Sequence, residues 1–302
     1  LDTLSLQMMN TNFYIALPKG TSKEWKKPVE KWLHYVASEW SRFREDNELA
    51  RLNQLKIGDT IAISSLLYDC LKKANNYFIQ THGLFSPYLK KQLEQHGYNQ
   101  SFPFQHAENL EKNDTGTKQS PIQFLSNHTV LRTDEQQIDL GGFAKGYIVE
   151  KIAEWLQQET CSEYGMVDGG GDMNIWSSCD KEWTIGVADP YKEEEEISYI
   201  KIKNGAIATS NRVYRSWKQG NDTKHHLLNG QTGIVANTDV LQATVVTKSL
   251  CDAEVACKLC FLLHEKELQQ WLGQHQIPSA CFIVKENEKG YWIKGGGKIH
   301  AS

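Results

Sequence analysis

A chain of 302 residues with 33 Lys and Arg against 37 Asp and Glu has a formal net charge of -4 and can bury a large core. That balance excludes a basic nucleic-acid-binding face, and nine Trp with twelve Tyr exclude a disordered polymer. No apolar run approaches the length of a membrane span, so no transmembrane segment is expected.

Residues 8–16 predict a first strand, with Phe13 and Ile15 alternating against polar neighbours. Residues 25–40 predict an amphipathic helix through Val29, Trp32, Leu33 and Val36. Pro28 falls in its first turn, where a missing N–H costs least. Residues 40–53 read as a polar loop running into a short helix, with Phe43 and the arginines as a rim in preference to a ligand contact. Residues 63–80 give a second helix, with Leu66, Leu67, Cys70, Leu71, Ala74, Tyr77 and Phe78 in its core stripe and Gly83 as its stop. An aromatic turn follows at 83–88. Residues 107–120 are polar and aperiodic and read as a solvated insertion or linker. Asn127, His128 and Thr129 match a glycosylation triplet, to which no role is assigned.

The stretch 139–152 joins a short apolar run, an acid and two glycines to a helix. From Lys145 onward Ile148, Ile152, Trp155 and Leu156 share one helical face. Paired glycines let backbone approach a ligand, and free N–H groups at a helix start favour anionic oxygens. With Lys145 beside them, the chemistry suits a phosphate or diphosphate, although a tight strand–helix turn would look the same.

Residues 164–176 read as a strand interrupted by glycines and flanked by Asp168 and Asp172. Strands are predicted at 183–187, 197–202, 206–214, 240–246 and 281–284, with the acidic run 193–196 as a solvated hairpin tip. Residues 250–263 predict a helix rich in Ala, Val, Cys and Leu. The pattern predicts an α/β or α+β fold, with mixed sheets flanked by helices.

Seven cysteines cannot all pair internally. Cys257 and Cys260 form a C-x-x-C with no second pair at zinc spacing, so buried free thiols and a reducing compartment are expected. The sequence begins at Leu1 with no visible leader. The expected compartment is the cytoplasm, or an exported or anchored state if a leader has been removed.

Two further places could carry chemistry. Asp252 stands near the start of its helix with Ala256 one turn later, suiting either a helix cap or a hard cation with oxygen ligands. His226 precedes Asn229, Gly230, Thr232 and Gly233, suiting either a hairpin turn or a general base beside a phosphate. No Ser/His/Asp triad, zinc signature or Walker motif is present.

In their order these segments resemble the FAD:protein FMN transferases, the ApbE-like family. The likeness runs from Met9 to about Leu263. Its strongest blocks are 139–147, 169–172, 208–210, His226 with Thr232 and Gly233, and Asp252 with Ala253. The resemblance implies one two-lobed body, with residues 1–302 as a single flavin transferase domain. It also implies Mg2+-dependent cleavage of FAD as substrate, with FMN passing to a threonine of a partner redox protein and AMP leaving. The acceptor threonine would lie in an Asp/Ser-Gly-Ala-Thr-like motif.

By position in the family pattern, Met9, Phe43, Leu84, Phe85 and Ser86 would line the FAD site. Asp139 and Lys145 would hold nucleotide and diphosphate, with Leu227 beside the flavin. The metal would take Gly142, Asp252 and the Ala256 position, and His226 would activate the acceptor hydroxyl. The chain departs from the family at Ser86, where Asp is common, at Asn229 and Gly230 for Asp-Pro, and at Asn211 for Gly. The rival expectations are an FAD diphosphate hydrolase giving FMN and AMP, and a non-catalytic flavin-binding protein.

Overall fold

The computed structural model describes residues 1–21, 24–107, 116–286 and 290–294. The elements begin with β1 (Asp2–Met8), β2 (Thr11–Leu17), α1 (Lys26–Glu39), α2 (Glu48–Asn53), β3 (Thr60–Ala62), α3 (Ser65–Gln80), α4 (Lys90–Gln95) and β4 (His106–Ala107). They continue with β5 (Ile122–Phe124), β6 (Thr129–Arg132), α5 (Ala144–Thr160), β7 (Tyr164–Gly169), β8 (Met173–Ser177), β9 (Trp183–Ala188) and β10 (Glu196–Ile202). The remainder are β11 (Gly205–Asn211), β12 (Ser216–Gln219), β13 (Asp222–His225), β14 (Val240–Thr247), α6 (Leu250–Leu259), α7 (Glu265–Gln274), β15 (Ala280–Lys285) and β16 (Tyr291–Lys294). This is the mixed α and β class that the pattern predicts.

The chain divides into two compact units. The first comprises Leu1–His34, Lys145–Tyr214 and Asn237–Ser302. Its described strands form an eight-stranded sheet in the order β1-β2-β7-β8-β11-β14-β15-β16, with every neighbouring pair antiparallel. All eight residues of β14 are buried, as a central strand covered on both faces must be. Helix α6 packs over β11 and β14, where the Cys257 thiol donates to the Ala208 carbonyl at 2.9 Å. A separate apolar cluster joins Trp183, Val187, Ile200 and Ile202 of the β9–β10 hairpin to Ile175, Ile207, Val246 and Phe282 of the sheet.

The second unit comprises Tyr35–Ala144 and Arg215–Ala236. Helix α3 buries Leu67, Cys70, Leu71, Ala74, Tyr77 and Phe78 of the expected stripe, while Leu66, at the edge of that face in the first turn, is only half-buried. Ser64 caps its start by accepting the Leu67 N–H at 3.2 Å. Two three-stranded sheets accompany it, β3-β6-β5 and β13-β12-β4, and the parallel β4–β12 pair lies in the second.

Four expectations are corrected. Residues 8–16 are not one strand: β1 ends at Met8, and Met9 and Asn10, both with positive φ, turn the chain into β2. Residues 164–176 are a hairpin rather than an interrupted strand, because Gly170 and Gly171 adopt positive φ between β7 and β8. The helix expected at 250–263 ends at Leu259, and α7 follows after a short break. Of the insertion 107–120, residues 108–115 lie outside the described residues, while Thr117 is buried rather than solvated. All seven cysteines are free; Cys70, Cys251, Cys257, Cys260 and Cys281 are buried.

Candidate active site

Met9, Lys145, Asp252 and Ala256 belong to the first unit, and Phe43, Leu84, Phe85, Ser86, Asp139, Gly142, His226 and Leu227 belong to the second. In the first unit, Lys145 is the second residue of α5 and its Nζ donates to Asp172 Oδ2 at 2.9 Å. The Asp172 side chain is only 5% exposed, and Lys145 keeps 16% of its side chain accessible. A buried carboxylate therefore holds a cation that still reaches solvent at a helix start. A lysine so placed can offer its remaining donors to an anionic group, with part of its charge already balanced by Asp172.

Glu254 extends this network. It is buried in α6, and its carboxylate meets Lys258 Nζ at 2.5 Å. Burial pushes its carboxyl upward and Asp172 adds to that, while Lys258 and Lys145 oppose them. Gly146 makes the approach possible, since a Cβ there would lie 2.5 Å from Glu254 Cγ. Glu254 was not singled out from sequence. An acid at a core position of an apolar helix was the available signal, because a buried charge requires a partner.

The glycine turn after β7 packs against the start of β2. A Cβ on Gly170 would lie 1.6 Å from Thr11 Oγ1, two residues beyond Met9. Asp168 Oδ1 accepts the Gly170 and Gly171 N–H groups, each at 2.8 Å. Burial pushes the Asp168 carboxyl from its ordinary 3.8 up to about 6, opposed by those N–H groups and Lys145 and reinforced by Asp172. The folded protein holds this proton more tightly than the unfolded chain, so stability is lost as pH rises from about 4 to about 6 and stays lost above. Asp168→Asn keeps the Oδ1 acceptor. It is expected to raise unfolding free energy by up to about 3 kcal/mol at pH 8 and by little near pH 4, as urea titrations at both values would measure.

Asp252 lies half-buried in the first turn of α6. Glu150 caps the same helix start, its Oε2 accepting from Ser249 Oγ at 2.7 Å and from Cys251 N–H at 3.2 Å. The Ala256 side chain is a methyl group and its carbonyl accepts Cys260 N–H at 3.0 Å. No cluster of three His, Cys, Asp or Glu suited to a metal occurs among the described residues. Oxygen donors of this kind fit a hard cation that takes most of its ligands from phosphate and water.

In the second unit, Asp139 is buried between two donors. Its Oδ2 meets Arg42 Nη1 at 2.5 Å and its Oδ1 accepts Gly141 N–H at 2.6 Å. The Arg42 guanidinium lies 3.9 Å from the Tyr98 ring centre and 4.7 Å from that of Phe43. Arg42 is thus no rim residue, having 8% of its side chain exposed, whereas Phe43 is exposed. Nothing local in sequence marked Arg42, because its partner stands 97 residues away. Arg42→Met would leave the Asp139 carboxylate buried without its cation. It is expected to cost about 3–5 kcal/mol in a denaturant titration.

Phe85 is buried against Tyr77 and Phe143, which anchors the half-buried Leu84 and Ser86 on either side. The adjacent histidines separate in role. His225 is buried, with Nδ1 accepting Leu227 N–H at 3.3 Å, while His226 is half-buried just beyond β13. Leu227 is buried and its carbonyl accepts Ala236 N–H at 2.9 Å. Gly142 sits in the turn that leads into α5, where Phe143 and Ala144 N–H groups return to the Leu140 carbonyl.

A family model described as the ApbE family matches residues 9–283. A Klebsiella pneumoniae protein named FAD:protein FMN transferase is 26% identical over 159 residues, a match that spans 52% of this chain and 49% of that protein. A Vibrio cholerae protein of the same name is 25% identical over 299 residues, covering 94% of this chain and 88% of that one. Among solved structures, the Thermotoga maritima ApbE protein superposes with a TM-score of 0.81 at 22% identity, covering 97% of this chain and 96% of that one. That likeness establishes the shared fold.

Proposed function

The chain belongs to the ApbE family, and on that premise we propose that it transfers FMN from FAD to a threonine hydroxyl of a partner redox protein, with Mg2+ bound and AMP released. Flavin transfer from FAD to a protein is the activity in the relatives' shared name, and this chain is an enzyme of that kind. We treat residues 1–302 as one transferase domain made of the two units. The observation that carries the reading is the Lys145–Asp172 pair at the start of α5, a half-open cation braced by a buried acid.

In this reading Lys145 binds the diphosphate, and Asp172 fixes the ammonium in direction. Asp139, held by Arg42 and Gly141, accepts hydrogen bonds from the nucleotide. Met9, Phe43, Leu84, Phe85, Ser86 and Leu227 supply the apolar and polar contacts around FAD. Asp252, with the Gly142 carbonyl and the Ala256 position, would hold Mg2+, which when bound neutralises diphosphate charge. His226 takes the threonine proton as the Thr Oγ–P bond forms. The bond from that phosphorus to the bridging oxygen breaks, and AMP leaves with the oxygen and its electron pair. No described helix is long and apolar enough to cross a membrane.

The test is mass spectrometry of a threonine-bearing acceptor domain, carrying an Asp/Ser-Gly-Ala-Thr-like motif, incubated with the protein, FAD and Mg2+. The expected result is one FMN added on the threonine, with equimolar AMP and none of either in EDTA. AMP without an adduct would replace this reading with FAD hydrolysis. Retained FAD with no AMP would replace it with flavin binding alone.

A further inference from the structure

Three backbone segments of the second unit are bonded directly to one another. Thr117 N–H donates to the Gly230 carbonyl at 2.9 Å, and Gly230 N–H donates to the Leu84 carbonyl at 2.9 Å. Gln231 Nε2 adds a bond to the His82 carbonyl at 2.9 Å. The contacts leave no room for a Cβ. One built on Gly116 would lie 1.8 Å from the Gln231 carbonyl oxygen. One built on Gly230 would lie 2.2 Å from the Gly83 carbonyl oxygen and 2.6 Å from Ser86 Cβ. Neither Gly116 nor Gly230 is among the positive-φ glycines, so close approach, not backbone conformation, is what demands them.

The middle segment is the turn of a short hairpin. Gly233 N–H donates to the Asn229 carbonyl at 2.7 Å, Asn229 N–H to the Ile234 carbonyl at 2.8 Å, and Leu228 bridges Val235. His96 Nε2 bonds the Gly233 carbonyl at 2.9 Å. The first arm of this hairpin begins with His226 and Leu227, and the segment beneath the turn carries Leu84 and Ser86. Thr117, 3% exposed, closes the stack from the other side and donates its hydroxyl to the Tyr88 carbonyl at 3.3 Å.

We propose that Gly116 and Thr117 are positioning residues for His226. They clamp the 229–233 turn onto the 83–86 segment and thereby fix the histidine arm relative to the segment that contacts FAD. This rests on the transfer function proposed above. Alanine at 116 would force the Gln231 carbonyl back by about 1 Å or more to restore ordinary contact. A misplacement of that size costs a reacting group up to about a hundredfold in rate. Gly230 plays the matching part beneath the turn, and its lack of a side chain goes with the small Ser86 that it faces.

The experiment is a double-mutant cycle on FMN transfer, with Gly116→Ala and Gln231→Ala each made in the native and in the His226→Ala background. In the native background Gly116→Ala is expected to lower kcat by about 10- to 100-fold with the KM for FAD within about threefold. Gln231→Ala, which removes only the bond to His82, should lower it by about 3- to 10-fold. In the His226→Ala background each loss should shrink to less than about threefold, because no base remains to be misplaced. Equal losses in both backgrounds would overturn the positioning role, as would native kcat in Gly116→Ala. Should Gly116→Ala fail to fold, the Gln231→Ala cycle decides alone. A native protein that transfers no FMN defeats the function itself, and with it this role; an active one with additive losses defeats the positioning role alone.

Discussion

Alanine at position 226 is expected to slow FMN transfer to a threonine acceptor by about a hundredfold or more, with FAD affinity within about threefold. A threonine hydroxyl is a weak nucleophile until its proton is removed, and an imidazole is the side chain suited to that near neutral pH. The structure supplies a control in the neighbouring residue. His225 is buried and accepts Leu227 N–H, so His225→Ala should lower stability by about 1 kcal/mol or more through a lost buried hydrogen bond and a cavity. His226 is half-buried, and its loss should lower the melting temperature less than that of His225. Initial rates of adduct formation by mass spectrometry, beside melting curves for both variants, measure the contrast. A His226→Ala protein that transfers at the native rate would remove the base from the mechanism.

Asp252→Ala is the second large effect. It should reduce AMP release by about a thousandfold at the Mg2+ concentration that half-saturates the native protein and shift the Mg2+ requirement upward, since metal stabilisation of phosphoryl charge amounts to several kcal/mol. The fold should survive. Glu150 accepts Ser249 Oγ and Cys251 N–H at the start of α6, and an acid in a first turn contributes only about 0.3–1 kcal/mol through the helix dipole. The measurement is AMP release against Mg2+ concentration for native and variant proteins. An unchanged Mg2+ requirement would take Asp252 out of the metal's ligand set.

Helices α1, α3 and α5 were legible because each keeps an apolar stripe at helical spacing over at least 14 residues. Helix α7 was not, since only Leu268, Trp271 and Leu272 mark its buried face. The β1–β2 turn escaped notice because Met9 and Asn10 hold positive φ without a glycine to signal it. The β12–β13 hairpin, which leads to His226, is almost wholly polar: β12 buries Trp217 and Gln219 on one face, but with a glutamine at the second position no apolar alternation shows in the sequence. The candidate site was visible as blocks in order, through their family resemblance, rather than as partners.

Class of fold, helical faces, free cysteines and family can all be read from the order of residues alone. The same order names Lys145, Asp252 and His226 as the residues to watch. Which charges meet is visible only in the folded chain. Arg42 reaches Asp139, Lys145 reaches Asp172 across 27 residues, and Glu254 lies against Gly146. Only the tertiary structure, too, turned the end of a polar insertion into a buried clamp on the histidine turn. The physical reason is one of range. Periodicity and turn chemistry act over a few residues and fix which face is apolar. The partner of a buried charge, or the carbonyl that forbids a Cβ, is set by segments the chain brings together from far apart.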